Sequence, residues 1–211
     1  RLATQSKIID SLKSLSQAVS NKLLFGDGEN IRLRDILVER IEKSTTNNEY
    51  EILSSTVKGI FSQREYFSKD IASENNVGYK IIRKHDIVLS PQNLWMGNIN
   101  YNNSFEVGIV SPSYKTFTIM EKYDKVFIAH LLKTQKALFK YMLVSEQGAS
   151  IVRRNLNMEA FGQLTFKIPP YNRQQKIGNI ITALQNKLQA EERYKTCLCY
   201  QKQYLLRQMF I

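Results

Sequence analysis

The stretch Ile168-Pro169-Pro170-Tyr171-Asn172-Arg173-Gln174-Gln175-Lys176-Ile177 decides the architecture, because a strand-like pattern stops at two prolines and an uninterrupted helical pattern takes over. Proline locks φ and lacks an N–H, so the pair ends Leu164-Thr165-Phe166-Lys167-Ile168, and Asn172 is placed to cap a helix beginning there. From Arg173 to Phe210 no proline interrupts the chain. At about 1.5 Å per residue such a helix would reach about 55 Å, too long to be buried within one small domain. It is expected to pack against something else.

The N-terminal segment obeys the same logic. Ile8, Leu12, Leu15, Val19 and Leu23 recur at helical spacing with polar residues between them, an amphipathic seam that Gly26-Asp27-Gly28 ends. On the C-terminal side Ile177, Ile181, Leu184 and Leu188 recur likewise, and Leu198, Leu205 and Met209 continue the stripe beyond Glu191-Glu192. The two seams are expected to pack on each other, within the chain or between copies. Lys22-Leu23-Leu24-Phe25 and Arg207-Gln208-Met209-Phe210 each put a cation three residues before an aromatic, the trace of a weak repeat. Two unrelated amphipathic helices would give the same spacing.

Between these helices, residues 29–168 read as a mixed α/β (α+β) globule. Ile31 to Glu42 has the pattern of a short amphipathic helix, and Glu51 to Val57 that of a strand. Further strand-like runs lie at Tyr79–Ile82, Asp86–Ser90, Val107–Val110 and Tyr114–Ile119, with Gly, Asn and Pro as punctuation. Val126 to Val144 is predicted as one internal helix carrying Phe127, Leu131, Leu138 and Met142 on one side. Leu94 to Asn103 reads as a loop that mixes aromatic and amide side chains. The domain division is therefore 1–25, 26–170 and 171–211.

Composition narrows the function. Thirty Lys and Arg against nineteen Asp and Glu give a net charge of +11 in 211 residues, which favours a polyanionic partner, most simply nucleic acid. A hydrophobic content of 43% is enough for an ordinary core and argues against disorder. Cys197 and Cys199 face different directions on the predicted helix. They form neither a disulfide framework nor a metal site, as expected in a reducing, cytoplasmic setting. No apolar run approaches the roughly 20 residues that span a membrane. Arg1 is not an initiator methionine, so the chain reads as a fragment or a processed product.

Three motifs in order carry a family resemblance. Pro169-Pro170-Tyr171-Asn172-Arg173-Gln174-Gln175-Lys176-Ile177 resembles the Pro-Pro-Leu-x-Glu-Gln-x-x-Ile junction of the specificity subunits of type I restriction-modification enzymes. Tyr79 to Ser90 is similar to that family's Tyr-Lys-x-Val-x-x-Gly-Asp-Ile-Val-x-Ser pattern, and Gly108 to Phe117 to its Gly-x-Val-Ser-Pro-x-Tyr-x-Val-Phe pattern. His85 stands in place of the turn glycine and Arg173 in place of the acidic residue. The resemblance implies a target recognition domain between long helices, reading half of a split double-stranded DNA site. It implies docking to methyltransferase (modification) subunits and, through them, to restriction subunits. One globule between two helical pieces would be half of such a subunit, paired with a second half or with another copy.

The residues suit that reading. Base readout needs amides, hydroxyls and guanidinium groups on loops, with cations beside them on phosphates. Gln92, Asn93, Trp95, Asn98 and Tyr101 supply the first kind, and Lys58, Arg64, Lys69, Arg83, Lys84 and Lys115 the second. Arg153-Arg154-Asn155 is a further candidate. Asn-rich loops can also merely satisfy turns. For partner binding the seam residues Ile8, Leu12, Leu15, Val19, Ile177, Ile181, Leu184, Leu188, Leu198 and Leu205 are expected to serve.

Catalytic signals are weak. Ile168-Pro169-Pro170-Tyr171 differs by one residue from the Asn/Asp-Pro-Pro-Tyr motif of adenine methyltransferases, but isoleucine has no polar atom to accept a bond from the target amine. No glycine-rich turn comes after an early strand, and Asp86 alone cannot hold a metal. His85 and His130 lie far apart in sequence. No enzyme activity, cofactor or metal is expected. The competing reading is a coiled-coil-like dimerisation or scaffold protein whose basic charge is incidental.

Overall fold

The computed structural model describes residues 1–66, 75–147 and 154–209. Helix α1 spans Leu2–Leu24, and α6, after the double proline, spans Tyr171–Met209. Between them come β1 (Glu29–Arg32), β2 (Leu37–Glu39), β3 (Leu53–Thr56), β4 (Gly59–Ser62), the single turn α2 (Gln63–Tyr66), β5 (Lys80–Arg83) and β6 (Ile87–Leu89). A 3-10 turn at Leu94–Met96 leads to β7 (Ile99–Tyr101), β8 (Val107–Val110) and β9 (Lys115–Ile119). Helices α3 (Lys125–Leu132) and α4 (Gln135–Leu143), strands β10 (Ser145–Gln147) and β11 (Arg154–Leu156), helix α5 (Met158–Gln163) and β12 (Thr165–Ile168) complete the chain.

The sheets are small and antiparallel. The largest has the order β2-β9-β6-β7, and two-stranded pairs β5-β8, β3-β4, β1-β12 and β10-β11 surround it. Its strands β6, β7 and β9 bury Ile87, Leu89, Ile99, Phe117 and Ile119 against Phe127, Leu131, Tyr141 and Phe161 of the helices. A second, smaller core of Leu53, Ile82, Val88 and Val110 joins the other side of β6 to β3, β5 and β8. With apolar residues on both faces, β6 is a central strand, which is why Ile87-Val88-Leu89 is a continuous apolar run rather than an alternating one.

Helices α1 and α6 pack on each other. Gln5, near the start of α1, is 5% exposed and donates from Nε2 to both the backbone and the carboxylate of Glu191 (3.2 and 2.6 Å). Lys13 pairs with Glu192 at 2.8 Å, while Gly26, just beyond the end of α1, lies beside Arg173. The helices are therefore antiparallel, and α6 runs on past the contact. At about 1.5 Å per residue α6 is about 58 Å long. No helix among the described residues is long and apolar enough to cross a membrane.

Several local expectations are corrected. Ile31 to Glu42 is not a helix, because Glu29 to Arg32 pair with Ile168 to Thr165 and Leu37 to Glu39 with Ile119 to Phe117, with a 3-10 turn between. The predicted helix 126–144 breaks into α3 and α4 at Thr134, whose extended backbone and side chain cap α4 by accepting from Ala137 N. Helix α6 begins at Tyr171, so Asn172 is not its cap. The carbonyl of Pro170 instead accepts from Arg173 N and Gln174 N. On α1 the buried positions are Gln5, Ile9 and Leu24, while Ile8 and Leu15 of the predicted seam are 45% and 53% exposed.

Candidate nucleic-acid interface

The 3-10 turn after β6 is the centre of the site. Ser90, at the end of that strand, accepts from Asn93 N, and the Asn93 carbonyl accepts in turn from Met96 N and Asn98 N. Gly97 closes the turn at φ +95°, a left-handed conformation that favours glycine. The turn is tied down from both sides. The backbone N–H of Arg154 on β11 donates to Gln92 O at 3.2 Å, and Lys133, just after α3, donates from Nζ to Gly97 O (2.9 Å) and Val57 O (3.2 Å). Lys58, exposed, comes next to Val57 on the β3-β4 turn.

The side chains at this junction differ in what they are free to do. Gln92 is exposed and Asn93 is half-buried, with no capping bond from its side chain. Arg154 lies over the Trp95 ring, its Cζ 4.6 Å from the centroid. Lys133 escapes a reading of the sequence, since it sits within an apparently continuous helical pattern. Burial pushes its ammonium pKa down to about 8, and no carboxylate among the described residues pairs with it. Gln92, Asn93, Trp95, Lys133 and Arg154 thus come together, drawn from separate parts of the chain, with exposed Lys58 one residue beyond the Val57 carbonyl that Lys133 holds.

Asn98 does not belong with them. It is 5% exposed, accepts from Ser55 Oγ at 2.8 Å and donates from Nδ2 to Ser55 O at 3.0 Å. Asn100 donates to the same hydroxyl and to Thr56 O, both at 2.7 Å. These amides fasten β7 to β3, and reaching a base would leave buried polar groups unpaired at about 1–3 kcal/mol each. Tyr101 is half-buried, its hydroxyl on His85 Nδ1, and burial, with the nearby Asp124 carboxylate as a second cause, pushes its pKa up to about 12.

Several expected phosphate anchors already face carboxylates. Arg83 pairs with Glu42 at 2.6 Å, Lys84 with Glu106, and Lys115 with Glu39 at 2.7 Å. The Arg83 bond holds the Glu42 carboxyl below its ordinary range. Arg64 is exposed on α2 and Asn155 is exposed on β11, away from any such pair among the described residues. Lys69 and Arg153 lie outside the described residues. Asp86, 1% exposed, is matched by a two-point contact from Arg40 (2.7 and 3.2 Å) and by Thr118 Oγ1 and Arg83 N. Its work is structural: removing one member of such a buried pair costs about 3–5 kcal/mol. His130 Nε2 contacts Thr182 Oγ1 of α6 at 3.0 Å, joining α3 to α6. Among the described residues no group of three or more His, Cys, Asp or Glu could hold a metal ion.

The family model of the type I restriction modification DNA specificity domain matches residues 27–196. The chain belongs to this family. No curated protein matches it significantly. Among solved structures, the specificity domain is similar to a chain from work on complex assembly and conformational transition of the type I restriction-modification system. That match has TM-score 0.62 and 13% identity over 96% of this chain and 51% of the other. It is similar to the HsdS subunit from Thermoanaerobacter tengcongensis (TM-score 0.56, 13% identity, 99% and 53% covered). It is also similar to the type I S subunit from M. genitalium (0.58, 17%, 100% and 57%). The chain spans about half the length of the solved chains it matches.

The family pattern has visible physical causes in this specificity domain. Gln174 is 2% exposed, donates to Pro169 O at 2.8 Å and accepts from Asp124 N at 2.9 Å, so one amide joins the proline pair, the start of α6 and the cap of α3. Ile177 enters the core one turn later. A Cβ on Gly108 would clash with the buried Leu53 side chain, so glycine is what lets β3 lie on β8. His85, in the place of the turn glycine, stands at φ +74°, a left-handed conformation that favours glycine.

Proposed function

We propose that this specificity domain reads one half of a bipartite double-stranded DNA sequence and has no chemistry of its own, methyl transfer and cleavage coming from modification and restriction subunits. The observation that carries the reading is the cluster around the 3-10 turn. Neutral amides at Gln92 and Asn93 stand on a turn that Lys133 holds by two carbonyls, near Lys58 and Arg154, for which the described residues supply no carboxylate. That is the combination base readout requires, cations to hold phosphates and uncharged donors and acceptors for base edges. The family membership and the net charge of +11 support the same conclusion.

Partner docking is assigned to the helices. Leu198 and Leu205 lie on α6 beyond Glu191 and Glu192, where α1 makes its contacts, together with exposed Tyr194, Tyr200 and Leu206. Ile8, Leu12 and Leu15 line an open groove beside Lys187. The methyltransferase subunits, and a second recognition half from another copy or another chain, are the proposed occupants.

The test is a selection from randomised duplexes using the full chain with its modification subunits. A recovered half-site, with affinity that falls steeply as salt rises, is the expected result. Binding without sequence preference would sink the reading and leave the scaffold alternative.

A further inference from the structure

We propose that Arg154 reads a guanine in the major groove and that Trp95 is the positioning residue that fixes its guanidinium plane; this rests on the DNA-reading function above. The two side chains come from distant segments, yet the guanidinium carbon lies 4.6 Å from the indole centroid, and the backbone bond from Arg154 N to Gln92 O locks β11 to the turn that carries Trp95. Arg154 Nε is buried and has no hydrogen-bond partner among the described residues. Two other arginines of the globule are spent on carboxylates, Arg40 on Asp86 and Arg83 on Glu42. Arg154 has no such pair among the described residues.

An unpaired guanidinium held on an aromatic face has given up much of its rotational freedom before any ligand arrives, so less is lost on binding. Its chemistry selects the base. Arginine offers donors only, in a planar fork, and guanine is the base whose major-groove edge presents two adjacent acceptors, O6 and N7. Adenine places an amino donor beside its N7 and would oppose the fork. The rival ligand is a backbone phosphate, which also accepts the fork. The exposed amide of Gln92 and the half-buried one of Asn93, on the turn bonded to Arg154, favour base edges, while exposed Lys58 is suited to phosphate.

The experiment compares the full chain with its Arg154→Lys, Trp95→Phe and Trp95→Ala variants, each with the modification subunits, first by randomised-duplex selection and then by titration. Arg154→Lys keeps the charge and loses the fork. Because a lysine ammonium can still donate to guanine without the planar fork, the variant should weaken the preference at one G·C pair, lower the cognate-to-scrambled affinity ratio about 10-fold and leave the salt dependence unchanged. Trp95→Ala should lose the same position and Trp95→Phe should restore most of it, which loss of fold would not do. Placing 7-deazaguanine, which lacks N7, at that pair should weaken the unaltered protein more than the Arg154→Lys variant. Full retention of preference by Arg154→Lys, equal weakening on cognate and scrambled duplexes, or indifference to 7-deazaguanine would each overturn the assignment. Absence of any preference in the unaltered protein would overturn it together with the DNA-reading function, so the two failures are distinguishable.

Discussion

His85 holds a left-handed backbone that costs a residue with a Cβ about 1 kcal/mol or more, and offsets it with the bond to the Tyr101 hydroxyl and a ring stack at 5.6 Å. His85→Gly removes the strain and the bond together, so its unfolding free energy in urea should stay within about 1 kcal/mol of the unaltered protein. His85→Val removes the bond and keeps the strain on a β-branched residue, and should lose about 2 kcal/mol or more. Lys133 gives a pH signature. Its folded pKa, lowered by burial to about 8, lies below the ordinary value of 10.5, so between those values the unfolded chain holds the proton more often and stability rises with pH. The tyrosines work the other way. Burial raises Tyr101, Tyr114 and Tyr141, so the stability they contribute is complete below about pH 10 and is lost as pH climbs through their folded values. Thermal unfolding measured from pH 8 to 10 should therefore show a rise that Lys133→Met reduces, because burial lowers Lys80 and Lys140 in the same direction, and a rise of undiminished size in the variant would assign it to those other groups.

At the scale of elements, the contacts of α1 with α6 reach Glu191 and Glu192, so deleting 193–211 removes little that the globule uses. The truncated chain should keep its helical and sheet spectrum and a cooperative transition, yet fail to co-elute with the modification subunits in size exclusion. Unchanged assembly would move the docking surface elsewhere. The same elements explain which parts of the fold are legible in the sequence. The double proline marks the boundary of α6 because its physics is local, and the strands at 79–90 and 107–119 are legible because apolar runs and turn residues alternate there. The span 31–42 misleads because short strands that meet partners far away in sequence, Ile31 on Phe166 and Val38 on Thr118, leave a helix-like spacing by accident. The break at Thr134 lacks Gly or Pro and depends on one hydroxyl cap. Asn98 looks like a loop reader because sequence does not reveal that Ser55, on another strand, consumes its amide.

For the whole molecule, the charge of +11 is less informative than where it is left unpaired. Arg83, Lys84 and Lys115 contribute to the total, but each sits beside a glutamate, so DNA would have to compete with a carboxylate already in place. Lys58 has no such competitor among the described residues. Lys58→Ala should weaken binding to every duplex and make the dependence of log affinity on log salt shallower by about one unit, the signature of one lost phosphate contact. Arg83→Ala should change that slope by less, since the freed Glu42 and the lost cation both alter the local field. Gln92→Ala and Asn93→Ala should behave differently again, costing about 1–3 kcal/mol on the preferred site and little on a scrambled one. Titrating the variants against cognate and scrambled duplexes at two salt concentrations separates these classes. Should Arg83→Ala flatten the salt dependence as much as Lys58→Ala, the phosphate track runs along β5 rather than past the β3-β4 turn, and the amides of the 3-10 turn would lose their place beside the DNA.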